Sequence, residues 1–294
     1  MSISLSEIRA FNAVVEHGNV TRAASALSVS QPAVTAQIRK LESRSGHYLL
    51  ERTPNGFVLT NQGKRLYQIS RQYTDLGNAL DDVLSGDTQT PLASIKIATA
   101  SALIFMPLLA EFRRQYPDTC IDIHSTTSAE CQTLLLNREV DVALFPLRDK
   151  APALSHFAFY QHKLKAIVPK GSPLSELKDV SIKALALHPL IFSAHTCYTQ
   201  FCLDDLLLSQ GIKATSQIRL DQRHEICEAV IQGLGVGFAF EGDIRADERY
   251  QLLNIIEADE PAVEHVVWLK KRSIMPAVQE FVQLALEQIA IKKD

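Results

Sequence analysis

Gln31, Thr35, Gln37, Arg39 and Lys40 fall within one short stretch, QPAVTAQIRKLE. Its apolar positions Val34, Ile38 and Leu41 repeat at the three-four spacing of a buried helix face. Amide, hydroxyl and cationic side chains set opposite such a face are the groups that reach base edges and phosphates in a DNA major groove. Ser30 is a good cap for this helix, and Pro32 is tolerated in its first turn, where the amide has no partner. Just upstream, Val20, Ala23, Ala24 and Leu27 make a shorter helical pattern, closed by a break at Leu27-Ser28-Val29. Two helices joined by a tight turn, the second polar and basic outward, predict a helix-turn-helix. Its candidate contacts are Ser30, Gln31, Pro32, Thr35, Gln37 and Arg39.

A second chemistry is spread through the C-terminal two thirds, where hydroxyl-bearing residues recur at strand ends. Thr99 and Ser101 follow one strand pattern, and Ser125-Thr126-Thr127-Ser128 follow the next. Pro146 and Arg148 follow a third, and Ser193-Ala194-His195-Thr196 precede a helix. Any one such cluster reads equally well as a helix cap. Together, at the carboxyl ends of strands, they suit a small anionic or zwitterionic metabolite held by hydroxyls, helix-start amides and a cation such as Arg148 or Arg223. The candidate effector residues are therefore Thr99, Ser101, Thr126, Thr127, Ser128, Arg148, Ser193, His195, Thr196 and Arg223. Cys197 stands at a helix start, which lowers a thiol pKa, so redox sensing through it is the alternative. His195, Cys197 and Cys202 offer at most three ligands without a recognised spacing, so no metal is expected. The run Gly233-Leu-Gly-Val-Gly237 precedes a strand and reads as a helix cap and turn, not a nucleotide loop. A Ser/His/Asp order, Walker loop or metal motif suited to catalysis is absent. The expectation is a binding protein without cofactor, with an enzyme fused to a DNA-binding head as the weaker competitor.

The elements that must position these groups are legible in turn. Ser4-Leu-Ser-Glu7 is a capping box opening a helix whose Leu5, Ile8, Phe11 and Val15 face a core, and Gly18 ends it. Tyr48 to Leu59 read as two strands around Pro54-Asn55-Gly56, a wing with Arg52 at its base to reach a phosphate or the minor groove. Thr60-Asn61-Gln62 starts a long helix. Along it Leu66, Ile69, Tyr73, Leu76, Leu80 and Val83 alternate at three and four residues, an a/d seam for homodimerisation. Ser85 to Pro91 is turn-rich and marks a linker. Beyond it, SIKIAT, CIDIHS and VDVALF alternate with helical patterns, as do HPLIFS, SQIRL and VGFAF, which predicts parallel pairing in α/β sheets. HFAFYQHKLKAIVP is long enough to pass between two subdomains, and VEHVVWL is a candidate return crossing.

A chain of 294 residues exceeds one ordinary core. Five cysteines, an odd number, fit reduced thiols better than a disulfide framework. MSISLSEIRA lacks the apolar core of a secretory signal and no apolar run approaches membrane-spanning length, so a cytoplasmic protein is expected. The net charge of -3 is unevenly placed. Residues 1–74 carry nine Lys/Arg against four Asp/Glu, or +5, while residues 75–88 carry four acids and no base. The remainder holds 21 bases and 25 acids. A basic head on an acidic body suits a phosphate-binding module joined to a sensor.

The run from Ala23 to Glu42, A-A-x-x-L-x-V-S-Q-P-A-V-T-x-Q-I-x-x-L-E, resembles the N-terminal signature of the LysR-type transcriptional regulators, and the resemblance extends over the whole chain. Arg223, Glu228-Ala229-Val230 and the glycine run are similar to the branch associated with phosphonate metabolism. The loop after HPLIF reads SAHTCYT here, where those relatives carry Gly-Ser and an Arg. Cys197 falls where peroxide-sensing members keep a reactive cysteine, although Cys202 comes too soon to match their second thiol. The resemblance implies a winged helix-turn-helix at 1–60, a dimerisation helix at 61–88 and an effector-binding domain at 89–294. That domain would be an α/β sensor of two Rossmann-like, periplasmic-binding-protein-like subdomains, I at 92–162 with 268–294 and II at 163–267. Expected partners are duplex operator DNA, a small-molecule effector, further copies of the chain as homodimer and tetramer, and RNA polymerase. No membrane partner is expected.

Overall fold

In a computed structural model, the described residues are 4–53, 56–67, 69–70, 73, 77, 92, 94–148, 151–194, 196–215 and 218–291. The chain forms two units, 1–90 and 91–294. Among the described residues, no helix is long and apolar enough to cross a membrane.

The first unit begins with α1 (Leu5–His17), which Gly18 closes in the left-handed conformation at φ 74°. Glu7 is buried at this helix start. It accepts from the Ser4 amide at 3.4 Å and pairs with Arg44 at 3.0 Å, so one carboxylate both caps α1 and ties it to the end of the third helix. Asn19 caps α2 (Val20–Ala26) by accepting the Arg22 amide at 2.8 Å. The break that follows has Ser28 at φ 53°, the left-handed turn that lets α3 (Gln31–Ser45) leave at a new angle. Ser30 caps α3 through the Ala33 amide at 3.4 Å. Ile8, Phe11, Val14, Ala23, Ala24, Val34, Ile38 and Leu41 close one core. Burying a side chain the size of Phe11 contributes about 1.5–3 kcal/mol. Leu5 departs from expectation: at the first turn it is 47% exposed, outside that stripe.

β1 (Leu50–Thr53) and β2 (Gly56–Leu59) pair antiparallel as the expected wing. Glu42, near the end of α3, accepts from the Leu49 and Leu50 amides at 2.8 and 3.3 Å and so fixes where the wing starts. Thr60 caps a further helix, α4, helical over 61–67 and at 69, 70, 73 and 77. Leu66 packs on the unit's own core, whereas Ile69 and Tyr73, on the same stripe, are 61% and 57% exposed. The wing tip Pro54-Asn55, the seam positions Leu76, Leu80 and Val83, and the linker Ser85 to Pro91 lie outside the described residues.

The second unit holds two sheets. In chain order it begins β3 (Ser94–Thr99), α5 (Ala102–Gln115), β4 (Cys120–Ser125), α6 (Ser128–Leu136) and β5 (Val142–Pro146). β6 (Leu154–His162) then crosses through Lys163 alone into β7 (Leu164–Pro169). The second sheet adds β8 (Asp179–Val180), α7 (Ile182–Leu185), β9 (Ile191–Ser193), α8 (Tyr198–Ser209), β10 (Ile218–Leu220), α9 (Arg223–Ile231), β11 (Gly237–Phe240) and β12 (Tyr250–Ile255). β13 (Ala262–Leu269) and α10 (Pro276–Ile291) complete the chain. The sheet orders are β4-β3-β5-β13-β6 and β11-β7-β12-β8, with β9 and β10 as a separate parallel pair.

Pairing is mixed, not wholly parallel. β3 pairs parallel with β4 and β5, as expected. β13 is antiparallel to both β5 and β6, and β7 is antiparallel to both β11 and β12. Parallel neighbours need a crossover of a dozen or more residues. The crossing strands have no such helix, so they enter each sheet against its direction. The return crossing also comes earlier than the expected 267/268 boundary. All of β13 pairs in the first sheet, so the chain returns between Ile255 and Ala262.

Candidate nucleic-acid interface and effector cleft

On α3 the buried stripe of Val34, Ile38 and Leu41 turns Gln31, Pro32, Thr35, Ala36, Arg39, Lys40 and Ser43 to one open face. A groove runs from this face to the wing, lined by Gln31, Thr35, Arg39, Arg52 and Thr53, with Asn19 and Thr21 at its α2 end. The first four were expected contacts, and the fold brings them together. Gln31 is held in place: its Nε2 donates to Thr21 Oγ1 at 2.8 Å, which leaves Oε1 to accept from a base. The Thr35 hydroxyl donates to the Gln31 carbonyl at 3.0 Å and can still accept. Ser30 spends its oxygen on the cap. Gln37 does not join the groove. At 100° per residue it lies about 160° round the helix from Arg39, on the far flank of the buried stripe. Thr21 went unnoticed in the sequence because its role, holding Gln31, needs the turn between the helices.

In the second unit, a cavity of about 500 Å³ lies between the subdomains. The first subdomain lines it with Thr99, Ser101, Thr126, Thr127, Ser128, Pro146 and Glu264, and the second with Thr196, Cys197, Tyr198, Gln222, Arg223, Phe240 and Asp243. Seven of the expected effector residues therefore meet in one place. Thr127 caps α6, its Oγ1 accepting the Glu130 amide at 3.3 Å, so its hydroxyl proton remains to donate. Thr99 Oγ1 accepts the Ser101 amide at 3.1 Å and keeps its proton likewise. Thr126 donates its proton to Glu130. Ser128 Oγ is buried without a partner among the described residues.

Two expected residues fall elsewhere. Arg148 lies over the Phe201 ring, 3.3 Å from its centroid, in a side cavity of about 220 Å³ beside the main one. Ser193 is buried behind the cleft, its amide donating to Gln200 Oε1 at 2.8 Å and its carbonyl accepting from Arg219 at 3.0 Å. Both leave the cleft because β9 ends one residue before the loop that lines it and the long Arg148 side chain folds back onto an aromatic face. His195 lies outside the described residues.

Arg223 opens α9 and spans the cleft: Nη2 donates to Asp243 Oδ2 and to the Ala100 carbonyl, both at 3.0 Å. Asp243 is almost fully buried, and desolvation pushes its carboxyl up, opposed by Arg223. Deeper still, Glu264 accepts the Ser101 hydroxyl at 2.7 Å, and His162 Nε2 lies 3.2 Å from the same oxygen. Sequence reasoning missed Glu264, His162 and Asp243. One signal was available for Glu264, a charge at an inward position of an otherwise apolar alternating strand. Cys197 is the residue before α8 and makes no cap hydrogen bond; Cys202 is half-buried, and desolvation raises its thiol. All five cysteines are free.

Residues 5–64 match the family of bacterial regulatory helix-turn-helix proteins, lysR family, and residues 91–290 match the LysR substrate binding domain. The RuBisCO operon transcriptional regulator of Allochromatium vinosum is 25% identical over 99% of this chain and 98% of its own length. The HTH-type transcriptional regulator CysL of Bacillus subtilis is 27% identical over 85% of this chain and 84% of its own. Among solved structures, a full-length OxyR variant from Pseudomonas aeruginosa superposes with a TM-score of 0.77 at 16% identity, covering 98% of this chain and 95% of that one. At that identity the likeness speaks for the fold alone.

Proposed function

Since this chain belongs to the LysR family of bacterial DNA-binding transcriptional regulators, we propose that it reads an operator with the groove between α3 and the wing and answers to a small polar metabolite bound in the cleft of its second unit. The observation that carries this reading is the convergence of Gln31, Thr35, Arg39 and Arg52 on one groove, together with seven polar cleft residues from loops far apart in sequence. Gln31 Oε1 and the Thr35 hydroxyl read base edges, and Arg39 and Arg52 hold phosphates. In the cleft, Thr99, Thr127 and Ser128 present hydroxyl donors beside the amides that open α6. These suit an anionic group, with Arg223 as the neighbouring cation. The chain acts as a regulator and not as an enzyme.

The boundaries follow the same division: residues 1–60 bind DNA, 61–88 pair two copies, and 89–294 sense the effector. Exposure of Ile69 and Tyr73 along one stripe of α4 supports pairing through that helix, and the dimer suits operators with two-fold symmetry. Pairing of dimers into tetramers, contact with RNA polymerase and a cytoplasmic location complete the reading. Selection from randomised duplex DNA tests it. Expected is enrichment of paired half-sites whose centres lie about 10 bp, or a multiple of it, apart. Unenriched sequence after several rounds, with the protein folded, would count against operator reading.

A further inference from the structure

Two buried carboxylate oxygens in the cleft have no partner among the described residues. Glu264, on β13 of the first subdomain, is 0% exposed. Its Oε1 takes the single Ser101 hydroxyl proton at 2.7 Å and lies 3.2 Å from His162 Nε2, contacts that orient the carboxylate and leave Oε2 bare. Asp243, following β11 of the second subdomain, is 5% exposed, gives Oδ2 to Arg223, and leaves Oδ1 bare. A ligating atom from each of His162, Asp243 and Glu264 lies within 4.8 Å of the other two. Arg223 and His162 face Oδ2 and Oε1, and the two oxygens left bare are buried acceptors that a further donor would satisfy.

We propose that the effector carries a primary ammonium group bound between Glu264 Oε2 and Asp243 Oδ1, which makes its class that of amino acids and related amino-carboxylates. The proposal rests on reading the cleft as the effector site. An anion alone would face two carboxylates at this end, whereas a zwitterion matches both ends, its acidic group at the start of α6. A metal ion fits less well. A metal-bound histidine is oriented by a hydrogen bond from its other ring nitrogen. Here His162 Nδ1 has no such partner among the described residues and faces Gly242, where an added Cβ would stand 3.0 Å away. Because the two free oxygens belong to different subdomains, the ammonium favours the closed arrangement over an open one, which is the differential affinity a switch requires.

The test screens the full chain by thermal shift, then calorimetry, against the common amino acids, their 2-oxo acid counterparts, short dicarboxylates, and Zn²⁺ or Mn²⁺ alone. Expected is stabilisation by an amino acid but not by its 2-oxo acid. Glu264→Gln and Asp243→Asn, each verified as folded by circular dichroism, should weaken that binding about ten- to hundred-fold. A 2-oxo acid or dicarboxylate that binds as well, and is weakened by Thr127→Val, overturns the ammonium while leaving the cleft reading standing. Amino-acid binding untouched by Glu264→Gln, Asp243→Asn and Thr127→Val overturns the cleft reading itself. Micromolar binding of a metal ion, lost in His162→Ala, or a chain that no amino acid stabilises, also overturns the proposal.

Discussion

Replacing Arg223 by Ala removes the guanidinium that pairs with buried Asp243 and spans to the Ala100 carbonyl. The Arg223 side chain is 36% exposed and that of Asp243 only 2%, so the pair sits between a surface and a buried ion pair. Surface pairs contribute about 0–1 kcal/mol, and breaking a buried pair costs about 3–5 kcal/mol, so a loss of about 2 kcal/mol is expected near neutral pH. The sign with pH follows from Asp243, whose folded-state pKa is already raised above its ordinary 3.8 by desolvation and rises further without Arg223. A folded state that holds its proton more tightly than the unfolded state loses stability as pH rises. The deficit is therefore small near pH 3.8 and grows as pH climbs through the raised folded value. Trp268, the sole tryptophan, lies on β13, so its fluorescence in urea follows the second unit alone. The measurement compares Arg223→Ala with the parent at about pH 5 and about pH 8, in the native and the Asp243→Asn backgrounds. An equal loss at both pH values and in both backgrounds would show that Arg223 acts by packing, and the ion-pair reasoning would fail.

On DNA, Gln31→Ala should cost about 1–3 kcal/mol on a selected site and little on random duplex. Arg52→Ala should weaken both alike and lower the salt slope by about 1. Anisotropy showing equal losses for Gln31→Ala on both DNAs would remove Gln31 from base reading. Ile69→Glu with Tyr73→Glu, both on the exposed stripe of α4, should weaken pairing about 100-fold or more, because each dimer would bury four carboxylates. An unchanged dimer in sedimentation would move the seam elsewhere. Gly56→Ala should destabilise the first unit by about 2–4 kcal/mol. Gly56 sits at φ 128°, and its Cβ would collide with the Gly18 carbonyl. A melting temperature equal to the parent's would refute the close approach of wing and α1.

Much of this protein is local, and what is local was legible. Ser30 and Gly18 bound their helices because caps satisfy backbone groups within one turn, a requirement the residue types announce. The helix-turn-helix, the wing strands and the alternating pattern from Ser94 follow from side-chain period, which depends on each segment alone. Helix α10 carried the same kind of signal in Pro276, Val278, Phe281 and Leu284 and went unread. What stayed hidden depends on distance along the chain. The sequence could place Thr99, Thr126 and Thr127 at strand ends, but not send Arg148 onto Phe201 or bury Ser193 against Gln200. Sheet direction was equally closed to it, since strand period is the same in parallel and antiparallel pairs, and only the two crossings, at Lys163 and between Ile255 and Ala262, turn β7 and β13 against their neighbours. The acidic floor of the cleft is the clearest case. His162, Asp243 and Glu264 lie as many as 102 residues apart, and their chemistry exists only where two subdomains fold back on each other and exclude the water that would otherwise solvate each charge.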